Sequence, residues 1–254
     1  MRIDQKSIYG VVIVTVLLAG CLSFWIWRSP NLEFKERGSP QGFRELVLEA
    51  ESSGFDPILG LTPNVSGVSK DDRSKLGVRN VCDALFRDPN SPAVGSPYSK
   101  VHVVQFFDYR CPYCKTLTKF LSEMQDRVRI VYKEWPILGT SSKLAARAAL
   151  AAAKQDRYLA FHKRLMNSRF IPTTAYIDAL AVELGINQVQ LLEDMNASDT
   201  DNALQRNAVL ASELGFSGTP GLVVGRTIVQ GAIRQRQLES LIENEVLLQS
   251  PMDC

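Results

Sequence analysis

Cys111 and Cys114, two cysteines separated by two residues, are the side chains whose type and spacing most directly imply chemistry. They stand in the stretch VHVVQFFDYRCPYCKTL, from Val101 to Leu117. The stretch reads as a buried strand, a short turn and a helix, with the cysteines at the junction. Val101 to Phe107 is almost continuously apolar, as expected of a central strand covered on both faces. Pro112 follows Cys111 directly, where its fixed φ and missing N–H suit the first helical turn. Such a pair can close a small disulfide loop or supply half of a zinc site.

Zinc requires four ligands, usually two CxxC pairs or one CxxC with two spaced histidines. The chain has no second pair, and its two histidines are His102 and His162. His102 falls at the far end of the same strand. His162 lies in a helical segment, where a polar residue on a helix accounts for it better than a ligand does. An inert structural bridge is also a weak reading, because so small a loop constrains the unfolded chain little. The redox reading has a physical basis. A thiolate at a helix N-terminus faces unpaired N–H groups and the positive end of the helix dipole, and such cysteines reach pKa values of roughly 3.5–7.5. Cys111 has that position. Cys114, one turn later and facing inward, is then the resolving thiol. Pro112 and Tyr113 between them tune the thiolate, and stabilising the thiolate makes the disulfide more oxidising.

Those residues need a scaffold. The chain has 254 residues, 45% of them hydrophobic and 22% charged, which suits one globular domain with attachments. The formal net charge is +2, with no run of five or six like charges, so nucleic acid is not an implied partner. The five cysteines are Cys21, Cys82, Cys111, Cys114 and Cys254. Cys21 lies in an apolar segment. Among the other four, pairing Cys82 with Cys254 is the arrangement that keeps Cys111–Cys114 intact, though Cys82 also reads as a small buried hydrophobe.

Ser7 to Trp27 carries no charged residue, and as a helix it would span ~31 Å, about one hydrocarbon core. Tyr9, Trp25 and Trp27 fall near its ends, where amphipathic rings favour the interface. Leu18-Ala19-Gly20-Cys21 has the form of a bacterial lipoprotein box. The apolar tail after it argues against both lipidation and simple signal cleavage, so residues 1–30 read as an uncleaved anchor. Lys and Arg on both sides of the span leave its orientation open.

Residues 31–90 read as a juxtamembrane linker. A short helix is expected over Phe43–Ala50 and another over Val78–Phe86, with a loop from Gly54 to Gly77 between them. Asp88 to Ser99, with three prolines, reads as a domain boundary. The main domain, 91–248, follows with strand 101–107, a helix to about Gln125 and a strand from Arg127 to Trp135. One helical stretch then covers Ser141–Met166. Helices follow over Thr173–Leu184, Val189–Met195 and Asp199–Leu214, with Thr173 and Asp199 as N-caps and Gly185 and Gly215 as stops. A hairpin, Gly221–Val224 with Thr227–Gln230, and a helix over Arg234–Leu248 complete it, before a tail of 249–254. The order describes an α/β fold with a helical insertion at about 141–215.

FFDYRCPYC resembles the active-site segment of the DsbA-like thiol–disulfide oxidoreductases, and the similarity extends over about Asp88 to Val246. It is most similar to the branch that includes the suppressor-of-copper-sensitivity proteins. Asp88-Pro89-Asn90-Ser91-Pro92, Lys133-Glu134-Trp135-Pro136-Ile137-Leu138-Gly139, and Phe161-His162 with Leu165-Met166 carry that part of the resemblance. It implies a thioredoxin fold with a central mixed sheet and an inserted helical subdomain. It also implies that Phe216-Ser217-Gly218-Thr219-Pro220 is the loop whose cis-proline faces the CxxC, with Thr219 presenting backbone to substrate. One position departs from the family: where well-studied members carry a buried acid, this chain has Gln105, which cannot titrate. Glu134 on the neighbouring strand is a substitute, although a strand-edge charge is the simpler reading of it.

The sequence thus leads to an expected function in a bacterial cell envelope: disulfide formation or exchange in exported proteins, by a domain anchored in the inner membrane and facing the periplasm. Its partners would be unfolded or partly folded cysteine-containing proteins and a redox partner that regenerates the site. No metal or organic cofactor is needed. The alternatives are a disulfide isomerase, a dedicated reductant, or a thiol module that binds copper or a partner without turnover.

Overall fold

A computed structural model describes residues 30–48 and 81–248. A single mixed sheet organises them. Its strands are β1 (Glu33–Glu36), β2 (Arg44–Val47), β3 (Ala93–Val94), β4 (His102–Phe107), β5 (Arg129–Glu134), β6 (Gly221–Val224) and β7 (Thr227–Gln230). They lie in the order β1-β2-β7-β6-β4-β5-β3. β4 and β5 are parallel, as are β2 and β7, while the other neighbours run antiparallel. The helices are α1 (Pro112–Ser122), α2 (Thr140–Ala153), α3 (Tyr158–Asn167), α4 (Thr174–Glu183), α5 (Gln188–Met195), α6 (Ser198–Glu213) and α7 (Gln235–Leu247). The helical insertion between β5 and β6 is therefore α2 to α6.

Strand alternation divides the core between the two faces. Val103, Phe107, Ile130, Tyr132, Leu222 and Val224 face one side, where α1, α3 and α7 pack. Val104, Phe106, Val131 and Val223 face the other, against Val81, Cys82, Leu85 and the C-terminal half of α6. Gln105 belongs to the first face by the same alternation.

Several expectations need correction. The helix expected over 43–50 is strand β2 within the described residues. Phe43 and Leu46 are three apart, which mimics helical spacing, but they bury on opposite faces of the sheet. β1, in the expected linker, pairs with β2 over Glu33–Glu36, so the sheet recruits strands from both sides of 88–99. The 88–99 segment itself is bound to the sheet. Buried Lys133 donates to Asp88 Oδ2 at 3.0 Å and to Ser91 Oγ at 2.6 Å, and β3 pairs with β5. The second short helix exists as helical residues 81–82 running into a π-helical turn, Asp83–Arg87.

The helix expected over 141–166 is two helices, α2 and α3. Asp156 adopts φ 58°, and Arg157 N–H returns to Ala152 O at 2.9 Å, so α2 closes without a glycine or proline to announce it. Thr173 caps α4 through its hydroxyl, 3.2 Å from Tyr176 N, but α6 begins after Ala197 and Asp199 sits inside its first turn. Gly185 (φ 64°) and Gly215 (φ 74°) take the left-handed conformation that ends helices.

Among the described residues no helix is long and apolar enough to cross a membrane. Ser7–Trp27, the loop 54–77, the tail 249–254 and Cys254 lie outside them. Cys82 is fully buried and disulfide-bonded, which sets aside its reading as a free small hydrophobe.

Candidate active site

The turn between β4 and α1 is fixed before the cysteines begin. Asp108 is buried, and its Oδ1 accepts from Arg110 N at 2.7 Å and Ser142 Oγ at 2.7 Å. Its Oδ2 accepts from Leu138 N at 2.9 Å, so the carboxylate joins the turn to the β5–α2 connection and the start of α2. Cys111 N–H donates to Asp108 O at 3.1 Å. Cys111 is thereby delivered to the N-cap of α1 in an extended conformation, with Pro112 at the first helical position.

At that cap the Cys111 sulfur replaces the oxygen of an ordinary capping residue. Its Sγ accepts from Cys114 N–H at 3.2 Å, satisfying one of the orphan donors of the helix end. As a thiol it donates to Thr219 O at 3.4 Å. The Thr219–Pro220 peptide bond is cis, and both residues are buried against the cysteine pair. The structure therefore brings together Cys111, Cys114, Thr219 and Pro220. Pro112 is exposed and Tyr113 half-buried at the helix tip. Cys111 and Cys114 are both free cysteines. Both are buried, with Thr219 O against the Cys111 sulfur.

The two thiols are tuned in opposite directions. The hydrogen bond from the Cys114 thiol holds Cys111 below the usual thiol range, helped by the Cys114 N–H and opposed by burial. Burial pushes the Cys114 thiol well above that range, and its hydrogen bond to Cys111 adds to the rise. One sulfur is thus suited to be a thiolate and the other to hold a proton. Lys115, whose ammonium bonds to Ser168 O, is held below the usual lysine range by burial, with the charge of Cys111 opposing the fall. That bond ties α1 to the loop carrying Phe170 and Ile171, which are 75% and 60% exposed and leave an apolar surface there.

Gln105 is buried on β4 and closes the space behind Cys114. Its Nε2 donates to Thr118 Oγ1 at 3.0 Å and reaches Cys114 O at 3.4 Å. Glu134 is not a strand-edge charge. β5 lies between β4 and β3, and Glu134 is 1% exposed. Its Oε1 accepts from Tyr109 Oη and Tyr158 Oη, each at 2.8 Å. His162 is also buried, at 1% exposure, with its ring among those of Phe107, Tyr109, Tyr132 and Tyr158. Asp108, Tyr109, Lys115, Ser142 and Tyr158 were not singled out from sequence. Asp108 and Tyr109 stand inside the FFDYRCPYC segment and Lys115 directly after it in α1, whereas Ser142 and Tyr158 carried no local signal. His102 stays remote at the start of β4, near Pro97 O at 3.3 Å. Among the described residues no cluster of three or more His, Cys, Asp or Glu is placed to hold a metal ion.

A CxxC at a helix N-terminus, opposed by a cis-proline loop on a sheet of this topology, defines a thioredoxin-fold dithiol protein. The family model for the DSBA-like thioredoxin domain matches residues 102–243, and the chain belongs to that family. A solved thioredoxin-like oxidoreductase from Silicibacter pomeroyi is 42% identical, with a TM-score of 0.61, covering 64% of this chain and 95% of that one. The catalytic domain of ScsC from Proteus mirabilis is 34% identical, with a TM-score of 0.60, covering 65% of this chain and 94% of its own. A probable disulfide bond formation protein D of Bacillus anthracis is 25% identical over 159 residues, covering 55% of this chain and 72% of the relative. The expected thioredoxin-type domain with its mixed sheet and helical insertion is the observed one.

Proposed function

We propose that this chain is an extracytoplasmic thiol–disulfide oxidoreductase that forms disulfides in unfolded or partly folded exported proteins through Cys111 and Cys114. The observation that carries this reading is the Cys111 sulfur capping α1 beside buried Cys114, with the carbonyl of the cis Thr219–Pro220 peptide against it. In the oxidised protein a client thiolate attacks Sγ of Cys111. The Cys111–Cys114 bond breaks, and Cys114 leaves with the electron pair and takes a proton. A second client thiolate then attacks the client sulfur of the mixed disulfide, and Cys111 leaves as a thiolate. The client dithiol has lost two electrons and the protein dithiol has gained them. A separate redox partner removes them again. Sulfur exchange of this kind requires no metal or organic cofactor.

Thr219 and Pro220 form the opposite wall, where an extended client segment can meet backbone, while Pro112, Tyr113 and the surface near Phe170 offer apolar contact. Location follows from the same chemistry, because cytosolic reductants would hold the pair reduced. In this reading residues 1–30 anchor the protein in the inner membrane. The domain of 91–248, joined by the 33–47 hairpin, faces the periplasm, and Cys82 pairs with Cys254. The test is oxidation of a dithiol client by the purified, oxidised protein. Wild type is expected to oxidise it stoichiometrically. Cys111→Ala is expected to lose all exchange, and Cys114→Ala, which cannot form the Cys111–Cys114 disulfide, to leave the dithiol unoxidised. A wild type that leaves the dithiol untouched overturns the proposal.

A further inference from the structure

Behind the Cys111 turn lies a buried hydrogen-bond chain that sulfur exchange does not use. Tyr109 Oη lies 2.8 Å from Glu134 Oε1 and 3.1 Å from His162 Nδ1. Tyr158 Oη reaches the same carboxyl oxygen at 2.8 Å. Glu134 Oε2 and His162 Nε2 are buried without a hydrogen-bond partner. The groups facing the carboxyl are Tyr132 from its own strand, Asp108 and Tyr109 from the turn, and Tyr158 and His162 from α3. Lys163 acts on His162 from the same helix, and α6 contributes the neutral Asn207, which donates to Glu134 O at 3.1 Å.

Tyr109 has one hydroxyl proton and two neighbours. With Glu134 ionised, the hydroxyl donates to the carboxylate, and His162 Nδ1–H donates to the tyrosine oxygen. With Glu134 protonated on Oε1, the acid donates to the tyrosine oxygen, and the hydroxyl turns to a bare His162 Nδ1. The histidine proton then resides on Nε2. One proton at Glu134 thus reverses the chain and exchanges the histidine tautomer. Tyr109 is two residues before Cys111, in the turn where Asp108 O accepts the Cys111 N–H at 3.1 Å.

We propose that Glu134 is a positioning residue for the Cys111 site: its protonation, relayed by reversal of the Tyr109–His162 hydrogen bonds, adjusts the turn that carries the nucleophile. The proposal rests on the thiol–disulfide reading of that site. Burial raises Glu134 to about 8, so both arrangements are populated around neutral pH. Burial lowers His162 to about 3 and raises Tyr109 well above its ordinary value. Those two groups therefore stay neutral while the carboxyl titrates.

The test follows the reduced full chain from pH 5 to 10. Cys111 thiolate is read by ultraviolet absorbance and alkylation rate, and the His162 tautomer by nitrogen NMR. Wild type is expected to show the Cys111 titration and a second step near pH 8, changing the alkylation rate constant by roughly 1.7-fold for half a pKa unit of coupling at a Brønsted slope of about 0.45. The His162 tautomer should exchange over that same step. Glu134→Gln should remove the step and keep the Cys111 titration. Tyr109→Phe should remove the step from the alkylation profile while Glu134 still titrates by carboxyl NMR. A step that survives in either variant overturns the proposal. If neither variant folds, the wild-type tautomer decides, and a single tautomer throughout the range overturns it. Absorbance and alkylation need no client, so a step without dithiol oxidation would refute the enzymatic reading and leave this one standing.

Discussion

At the scale of single residues, burial without a cation governs how Glu134 contributes to stability. Its pKa rises from 4.5 to about 8 in the fold, with burial as the main cause and the two tyrosine hydrogen bonds opposing it. A carboxyl raised in this way stabilises the fold fully below its unfolded value. That contribution is lost as pH rises through the folded value. Urea unfolding is therefore expected to show wild type losing stability relative to Glu134→Gln between about pH 5 and 8.5, while His162, lowered by burial, acts in the opposite direction in both proteins below about pH 6.5. Equal slopes in the two proteins would contradict it. The cysteines were legible in the sequence because a spacing is local, and Thr219-Pro220 through the resemblance of its loop to the family's. The contact between Glu134, Tyr109 and His162 was not. Their meeting depends on the β4–β5 register, which sets Phe107 opposite Glu134, and on how α3 docks. Nothing in the string Lys133-Glu134-Trp135 says that the glutamate points into an aromatic pocket.

At the scale of elements, the groove wall depends on close approach. A Cβ on Gly221, the residue after Pro220, would lie 2.9 Å from three ring atoms of Phe216, including the root of the ring. Phe216 is buried against Phe106 of β4, ring centroids 5.2 Å apart, so it has little room to retreat. Gly221→Ala is expected to destabilise the protein by roughly 1–3 kcal/mol, the usual cost of overpacking, and to slow exchange by displacing the 219–220 loop. Thermal unfolding and client oxidation rates check both effects, and a variant unchanged in both would refute the role given to this contact. β4, β5, the β6–β7 hairpin and α7 were legible because apolar periodicity and turn residues agree there. β2 was misread because a strand covered on both faces buries residues three apart as readily as a helix does. The α2–α3 break was hidden because Asp156 takes a left-handed turn that sequence assigns by default to glycine or asparagine.

At the scale of the whole molecule, the DsbA-like domain is extended by a hairpin outside the family match, and Arg44 fastens it. Its Nη2 meets Glu245 Oε1 at 2.7 Å and Asn244 Oδ1 at 2.8 Å on α7, and its Nε donates to Thr227 Oγ1 at 2.8 Å on β7. The guanidinium also lies 3.8 Å over the Phe34 ring. Glu245 is 3% exposed, so removing its cation leaves a nearly buried charge. Arg44→Ala is expected to cost roughly 2–4 kcal/mol, below the full range for a buried pair because the arginine is partly exposed. Urea unfolding measures it, and a loss under about 0.5 kcal/mol, as for an isolated surface pair, would refute the clasp. The hairpin, β7 and α7 form one support for β6, which carries the Thr219-Pro220 loop to the cysteines. The direction of electron flow follows from what that support presents to Cys111. The reduction potential of Cys111–Cys114, equilibrated against glutathione buffers of known ratio, tests this most directly. A thiolate stabilised at the helix cap beside a protonated Cys114 is expected to give a value more oxidising than about −200 mV. A value near the roughly −270 mV of thioredoxin, with no oxidation of dithiol clients, would contradict it.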